Sequence, residues 1–362
     1  MQRAGGPGAL RLSGKRTTAG MPALSPAWVL VALALVAIAV LLGLALGPVG
    51  LGAGAVAREL ASHVPFLGVE SSFSATEDAI LWELRAPRVV LGLLVGAMLA
   101  SAGAAYQGVF RNPLADPYLL GAAAGAGLGA TLVIAYGEGT AGSRDLRTIA
   151  AFAGAILGVS AAYVIGRSVG GGRSTATLVL AGVTVASFLT AVQTFVQQHR
   201  SDTVQEVYAW ILGQLETSGW RDVAVALPYV AASAAVLLLH RRLLDVLAVG
   251  DEEAASLGVR VARVRLAVVA AATLGTAAAV ALSGLIAFVG IIVPHAIRLV
   301  VGTSYRIVVP LSLVFGAAFL VLADLLARTV IAPAELPIGV VTAFFGAPFF
   351  AVVLRTTRAV GP

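Results

Sequence analysis

The chain holds few residues whose type and spacing could do chemistry. Ser13-Gly14-Lys15-Arg16-Thr17 approaches the end of a phosphate-binding loop, where backbone N–H groups cradle phosphates and a lysine reaches over them. Ala9 stands where the earlier glycine is needed, Arg16 replaces the metal-binding Ser or Thr, and no strand leads in. ATP binding by this chain itself is therefore not expected. Gly125-Ala126-Gly127-Leu128-Gly129-Ala130 brings its third glycine one place too early for a dinucleotide fingerprint. None of His63, His199, His240 and His295 stands at metal-ligand spacing from another, and a structural role is expected for His295 behind Pro294. The absence of cysteine excludes disulfides, thiolate metal sites and iron–sulfur clusters. No nucleophile–base constellation is present. The expectation is a non-enzyme that binds no cofactor or metal of its own.

Two polar features remain. Arg85-Ala86-Pro87-Arg88 opens a long apolar run, with proline suited to a helix start. With Arg328, at the end of another apolar run, the two arginines could form a basic rim that pairs bidentately with carboxylates. Interfacial snorkelling is the alternative. The second feature is the segment 241–264. Within it Asp251, Glu252 and Glu253 start a short expected helix, where acids suit the dipole. Leu247, Ala254, Leu257 and Val261 are expected to form its apolar face. Such a helix at a membrane surface could receive a soluble partner, or be only a solvated loop.

These features need elements to hold them. Of the 362 residues 59% are hydrophobic and 12% charged, against about 25% charged in a soluble domain. Apolar runs predict ten helices, over 27–47, 88–108, 118–136, 148–167, 176–197, 223–240, 265–282, 285–301, 308–327 and 337–354. Only Ser283-Gly284 separates the seventh from the eighth. The first run has about 20 residues, enough to span a bilayer and longer than the apolar region of a signal peptide. It reads as an uncleaved first span behind a basic, disordered tail over 1–26.

The net charge of +6 lies in short arginine-bearing loops, which orients membrane helices rather than binding nucleic acid. With the N-terminus inside and ten spans, inner segments hold sixteen Lys and Arg residues and outer segments eight. Without the break at Ser283-Gly284 the bias vanishes. This orientation puts Arg85, Arg88 and Arg328 outside, segment 241–264 inside and both termini in the cytoplasm. The spans are nearly free of ionisable groups, with Asp116 and Asp324 close to helix ends, so no coupling ion is provided for and the energy is expected to come from elsewhere. A secondary transporter driven by an ion gradient is the alternative. Glycines repeat at four-residue spacing, at Gly92 and Gly96, at Gly121, Gly125 and Gly129, and at Gly154 and Gly158. They predict close helix packing, within one chain rather than between two.

A series of segments then resembles a known family. They are Leu84-Arg85-Ala86-Pro87-Arg88, Ser101 to Gln107, Arg111-Asn112-Pro113-Leu114-Ala115-Asp116-Pro117-Tyr118-Leu119-Leu120-Gly121, Leu180-Ala181-Gly182-Val183 and Trp210-Ile211-Leu212-Gly213. The C-terminal half adds Gly284 to Gly290, Val293-Pro294-His295-Ala296-Ile297-Arg298, Leu322-Ala323-Asp324, Glu335 to Thr342 and Gly346-Ala347-Pro348. Together, over about 81–354, they resemble the FecCD-type permeases that import iron–siderophore complexes, haem and cobalamin. Ala86 departs from the usual leucine, and the long basic tail has no assigned role.

The resemblance implies an all-α polytopic membrane protein of about ten transmembrane helices, with type II ABC importer architecture and a permease domain over 27–356. It implies the bacterial cytoplasmic membrane, a second permease copy as a homodimer, two cytoplasmic ATPase subunits that carry ATP and Mg, and an extracytoplasmic substrate-binding protein. It also implies that Arg85, Arg88 and Arg328 dock the binding protein. Gly250, Asp251, Glu252, Glu253, Ala254, Ser256, Leu257 and Gly258 would couple to the ATPase. An iron–siderophore complex is the expected cargo, with haem and cobalamin as alternatives.

Overall fold

The structure, a computed structural model, describes residues 25–66, 68–137, 142–169, 175–215 and 219–358. The basic tail lies outside the described residues, apart from Ser25 and Pro26. In chain order the helices are α1 (Pro26–Ala45), α2 (Ala53–Ser62), α3 (Ala75–Ala79), α4 (Ala86–Phe110), α5 (Ala122–Tyr136), α6 (Ser143–Val169) and α7 (Thr175–His199). There follow α8 (Val204–Ile211), α9 (Trp220–Val249), α10 (Asp251–Ser256), α11 (Val261–Ser283), α12 (Val289–Val300), α13 (Tyr305–Thr329) and α14 (Ile338–Arg358). A π-helical stretch, Ile80–Arg85, joins α3 to α4.

Seven of these elements are long and apolar enough to cross a membrane: α1, the α3–α4 run, α6, α7, α9, α11 and α13. Three shorter apolar stretches, α5, α12 and the Ile338–Val353 part of α14, stand at the remaining three of the ten expected spans. The end of the bundle that carries Pro26 is called the near end and the other the far end.

α4 is the central helix. Every residue from Met98 to Phe110 is buried, and it packs on α9, α11, α12 and α13. Its small residues permit this. A Cβ on Gly103 would lie 2.1 Å from the Gly290 carbonyl oxygen of α12, and one on Gly96 2.2 Å from that of Gly316 in α13. The α5–α6 pair uses the same device. A Cβ on Gly125 would come within 2.0 Å of the Gly154 oxygen, and one on Gly129 within 2.1 Å of that of Ala150. Lipid provides no hydrophobic drive between helices, so such backbone approach is what holds them. The glycine repeats thus serve packing within the chain, as expected from their spacing.

The break at Ser283-Gly284 is present. Gly284 sits at φ 67° and ψ −161°, and Phe288 at φ 70° starts α12. At 1.5 Å per residue α12 is only about 18 Å long and α5 about 22 Å, short of the ~30 Å hydrocarbon core. Irregular backbone makes up the difference and must find partners inside the protein. The Tyr118 hydroxyl donates to the Ile286 carbonyl and accepts from the Ile286 N–H, both at 3.1 Å. Gln107 Nε2 donates to Ala115 O at 3.2 Å and Gly290 O at 2.9 Å. Gln214 N donates to Ser283 O, and Ile338 N to Gly213 O. The segments 112–121, 210–214 and 284–290 are therefore stitched to one another and to α14.

One expectation needs correcting. The 24-residue connection over 241–264 is mostly helical: α9 runs on to Val249 and α11 begins at Val261. His240-Arg241-Arg242 ends the apolar run but not the helix, because a charge opposes insertion in lipid without breaking backbone hydrogen bonds. Leu244 and Leu247 in this extension are buried. The short helices α2, α3 and α8 escaped the apolar-run reading for the same reason, since they lie in charged connections.

Gly125→Val should lower the yield of monodisperse protein sharply, at the upper end of the about 1–3 kcal/mol that overpacking costs. Gly54→Ala, where nothing lies within 4 Å of the added carbon, should leave it unchanged. Fluorescence-detected size exclusion measures both.

Candidate functional site

The far end gathers the three arginines expected to form a rim, but into the protein rather than outward. α1 ends at Ala45 with carbonyls that have no helical partner. Arg85 Nη1 donates to Leu44 O at 2.8 Å and to Ala45 O at 3.1 Å, and Nη2 to Val49 O. Arg328 Nη2 donates to Gly43 O. Cations at a helix C-terminus also suit its dipole. Both arginines are buried, 6% and 3% exposed, so the expectation that they face outward is corrected. Residue type and position at a helix end do not reveal that carbonyls some 40 residues upstream claim the Arg85 guanidinium, or that one 285 residues upstream claims that of Arg328.

Arg88 differs. Its Nε and Nη2 hold the buried Asp324, the closest approach being 2.8 Å. Nη1 and Nη2 reach the two oxygens of Glu335 at 3.1 and 2.8 Å. Glu335 is part-exposed, with 42% of its side chain accessible, against 18% for Arg88 and 2% for Asp324. Asp324 also faces Arg328 Nε at 3.4 Å. A buried charge needs such pairing. Of the three arginines, Arg88 alone is half-buried rather than buried and paired to an exposed carboxylate. Neither Asp324 nor Glu335 was singled out as a partner from the sequence, although both lie within its matched segments.

At the near end, α10 spans Asp251–Ser256 with Asp251, Glu252 and Glu253 in its first turn, as the sequence indicated. Glu252, Glu253 and Ser256 are exposed, as is Gly258 at φ 80°. Gly250 holds the join to α9 at φ 160°. The expected apolar face divides. Leu247 and Ala254 are buried at 1% and 0%, Val261 is half-buried, but Leu257 is 72% exposed. Asp251 does not belong to the exposed acids. It pairs with Arg265 Nη2 at 3.0 Å and Arg111 Nη2 at 3.2 Å. α10 thus shows outward Glu252 and Glu253, and the residue that follows it is a bare leucine.

A third feature was missed. On α7, Thr184, Ser187, Thr190, Thr194 and Gln198 are exposed and fall within an arc of about 120° at 3.6 residues per turn. Phe188 and Phe195 flank them, 68% and 72% exposed, and Leu180 and Val183, 66% and 51% exposed, interrupt the same arc towards the start of the helix. The Thr184 and Thr194 hydroxyls donate to Leu180 O and Thr190 O one turn back, both at 2.9 Å. Their remaining lone pairs and the other polar groups face out. α6 contrasts, since it exposes Ile149, Leu157 and Val164, a surface suited to lipid. The polar spacing was visible in the sequence, but apolar-run counting averages it away. α8 packs on α5 and is held to α6 by an Arg147–Glu206 pair at 3.0 Å over a cavity of about 400 Å³. His295 packs edge-on against Phe349.

Comparison with known proteins agrees with this architecture. Residues 34–356 match the model of the FecCD transport family. An uncharacterised ABC transporter permease protein, YvrB of Bacillus subtilis, is 39% identical over 88% of this chain and 90% of its own length. The cobalamin import system permease protein BtuC of Halobacterium salinarum is 41% identical over 77% of this chain and 74% of its own. A structure described as an inward-facing conformation of a metal-chelate type ABC transporter superposes with a TM-score of 0.79 at 26% identity, covering 92% of this chain and all of the other. The family match, which spans nearly the whole described fold, and relatives of this similarity identify the chain as a member of the FecCD transport family and a membrane-spanning ABC transporter permease.

Proposed function

We propose that two copies of this chain enclose a pathway for a metal chelate in a bacterial cytoplasmic membrane. The near end and both termini lie in the cytoplasm and the far end outside. The observation that carries the reading is the polar face of α7. Five polar side chains on one face of a membrane helix are poorly matched to lipid, and facing a second copy across a wet passage would satisfy them. Thr, Ser and Gln bind weakly and without charge, which suits passage of a bulky hydrophilic chelate more than its retention. A site for a coupling ion would instead gather acids or histidines within the spans.

Energy would come from two ATPase subunits docked at the near end, with ATP and Mg bound there. The exposed Glu252 and Glu253 of α10, with Leu257 directly after it, provide a compact surface with an apolar anchor for them. An extracytoplasmic binding protein would dock at the far end. There Arg88 is the cation best placed to take an incoming carboxylate, in exchange for Glu335, while Arg85 and Arg328 hold the ground beneath it. The relatives' names include cobalamin import and metal-chelate transport, which supports a chelate as cargo. An iron–siderophore complex remains the first candidate, and the binding protein would make the choice.

Reconstituted vesicles test the reading. Uptake of ferric siderophore, haemin or cobalamin should require ATP, the ATPase and the binding protein together. Uptake driven by an ion gradient without the ATPase would contradict it. Arg88→Glu should slow binding-protein association several-fold, and salt should slow the wild type similarly, because charge at a docking rim acts on encounter. Arg85→Leu should act differently. It leaves the carbonyls of α1 unpaired, so the apparent melting temperature should fall by an amount corresponding to about 2–3 kcal/mol. Association of the folded fraction should stay near the wild-type rate.

A further inference from the structure

We infer that Asp251 is the positioning residue that passes movement of α10 to α4, the central helix. The inference rests on the reading of α10 as the ATPase-docking element and adds the joint behind it. Asp251 is the first residue of α10. Its Oδ1 lies 3.2 Å from Arg111 Nη2 and 3.0 Å from Arg265 Nη2, and its Oδ2 lies 3.1 Å from the latter. Arg111 is the left-handed residue that ends α4, at φ 49° and ψ 37°. Arg265 stands in the second turn of α11, with 7% of its side chain exposed.

One carboxylate therefore ties a surface helix to the ends of two spans. α10 is joined by the chain to α9 and, through 257–260, to α11. Its connection to α4 is made by side chains, and the Arg111–Asp251 pair is the ion pair across it among the described residues. The remaining acids of α10, Glu252 and Glu253, are exposed and free to face a partner. What α4 receives it can distribute, because its backbone lies against α12 at Gly103–Gly290 and against α13 at Gly96–Gly316. Rigid close packing transmits displacement rather than absorbing it. The Arg265 contact, largely shielded from water, would keep Asp251 from swinging with solvent.

The absence of cysteine allows spin labels to be placed singly in the complex of permease and ATPase. Labels at Ala255, exposed on α10, and at Pro113, exposed just beyond α4, report the distance between the two copies. In the wild type, trapping with ATP and vanadate should shift both distances. In Asp251→Asn the Ala255 shift should persist and the Pro113 shift should fall at least twofold. ATPase recovery in pull-down should stay within twofold, and Asp251→Glu should restore the Pro113 shift. An unchanged Pro113 shift in Asp251→Asn, or none in the wild type, would overturn the inference. Should Asp251→Asn not fold, Arg111→Gln removes only the link to α4 and is held to the same outcomes. Leu257→Asp separates the underlying reading: if it leaves ATPase recovery unchanged, α10 is not the docking element. If it abolishes recovery while Asp251→Asn leaves the Pro113 shift intact, only the joint is wrong.

Discussion

Backbone-to-backbone packing of α4 against α12 and α13 is the contact on which the rest of the fold depends. At Gly103–Gly290 and Gly96–Gly316 a single added carbon would meet a carbonyl oxygen. Helices that share a lipid solvent gain nothing from hiding apolar surface from one another, so closeness must supply the attraction. Held this tightly, α4 also fixes the two short helices, α5 and α12. Gln107, on α4, binds the Gly290 carbonyl of α12 and the Ala115 carbonyl ahead of α5. Irregular backbone can then exist at membrane depth because protein, not lipid, surrounds it.

With the interior fixed in this way, charge is confined to the two ends, and most of it is spent within the chain. At the far end two arginines close the carbonyls of α1, and Asp324 neutralises Arg88 and Arg328 from below. At the near end Asp245 accepts from Ser304 Oγ at 2.8 Å and Tyr305 N at 2.6 Å, capping α13 from the tail of α9. Asp251 joins α10 to α4 and α11. Among the exposed groups that remain, Glu335 on Arg88 stands at one end, and Glu252, Glu253 and Leu257 stand at the other. Between them lies the polar face of α7, the one wide departure from an apolar exterior noted among the described spans.

Much of this was legible in the residues. The ten spans, the Ser283-Gly284 break, the short acidic helix at 251 and the intrachain use of the glycine repeats all follow from apolar length, turn chemistry and small-residue spacing. The errors over charged residues share one cause, which is that sequence pattern reports local preference and not the distant partner. Arg85 and Arg328 read as surface cations because nothing near them in the chain announces the orphan carbonyls of Gly43 to Val49. Asp251 read as one of three equal acids, although Arg111 lies 140 positions before it. The segment 241–249 read as a loop because hydropathy measures affinity for lipid and is silent on helix formation. Polar residues along α7 passed unnoticed among more numerous apolar ones, and only burial separates their face from the packed one.

The central claim is that the α7 face borders water inside an assembled pathway. Single cysteines at Thr184, Ser187, Thr190 and Thr194, with Ile149 and Val164 on α6 as controls, can be introduced into a chain that has none of its own. In the reconstituted complex, a small membrane-impermeant thiol reagent should label the α7 positions at least tenfold faster than the α6 positions. Equal, slow labelling of both sets would place α7 against lipid and contradict the account.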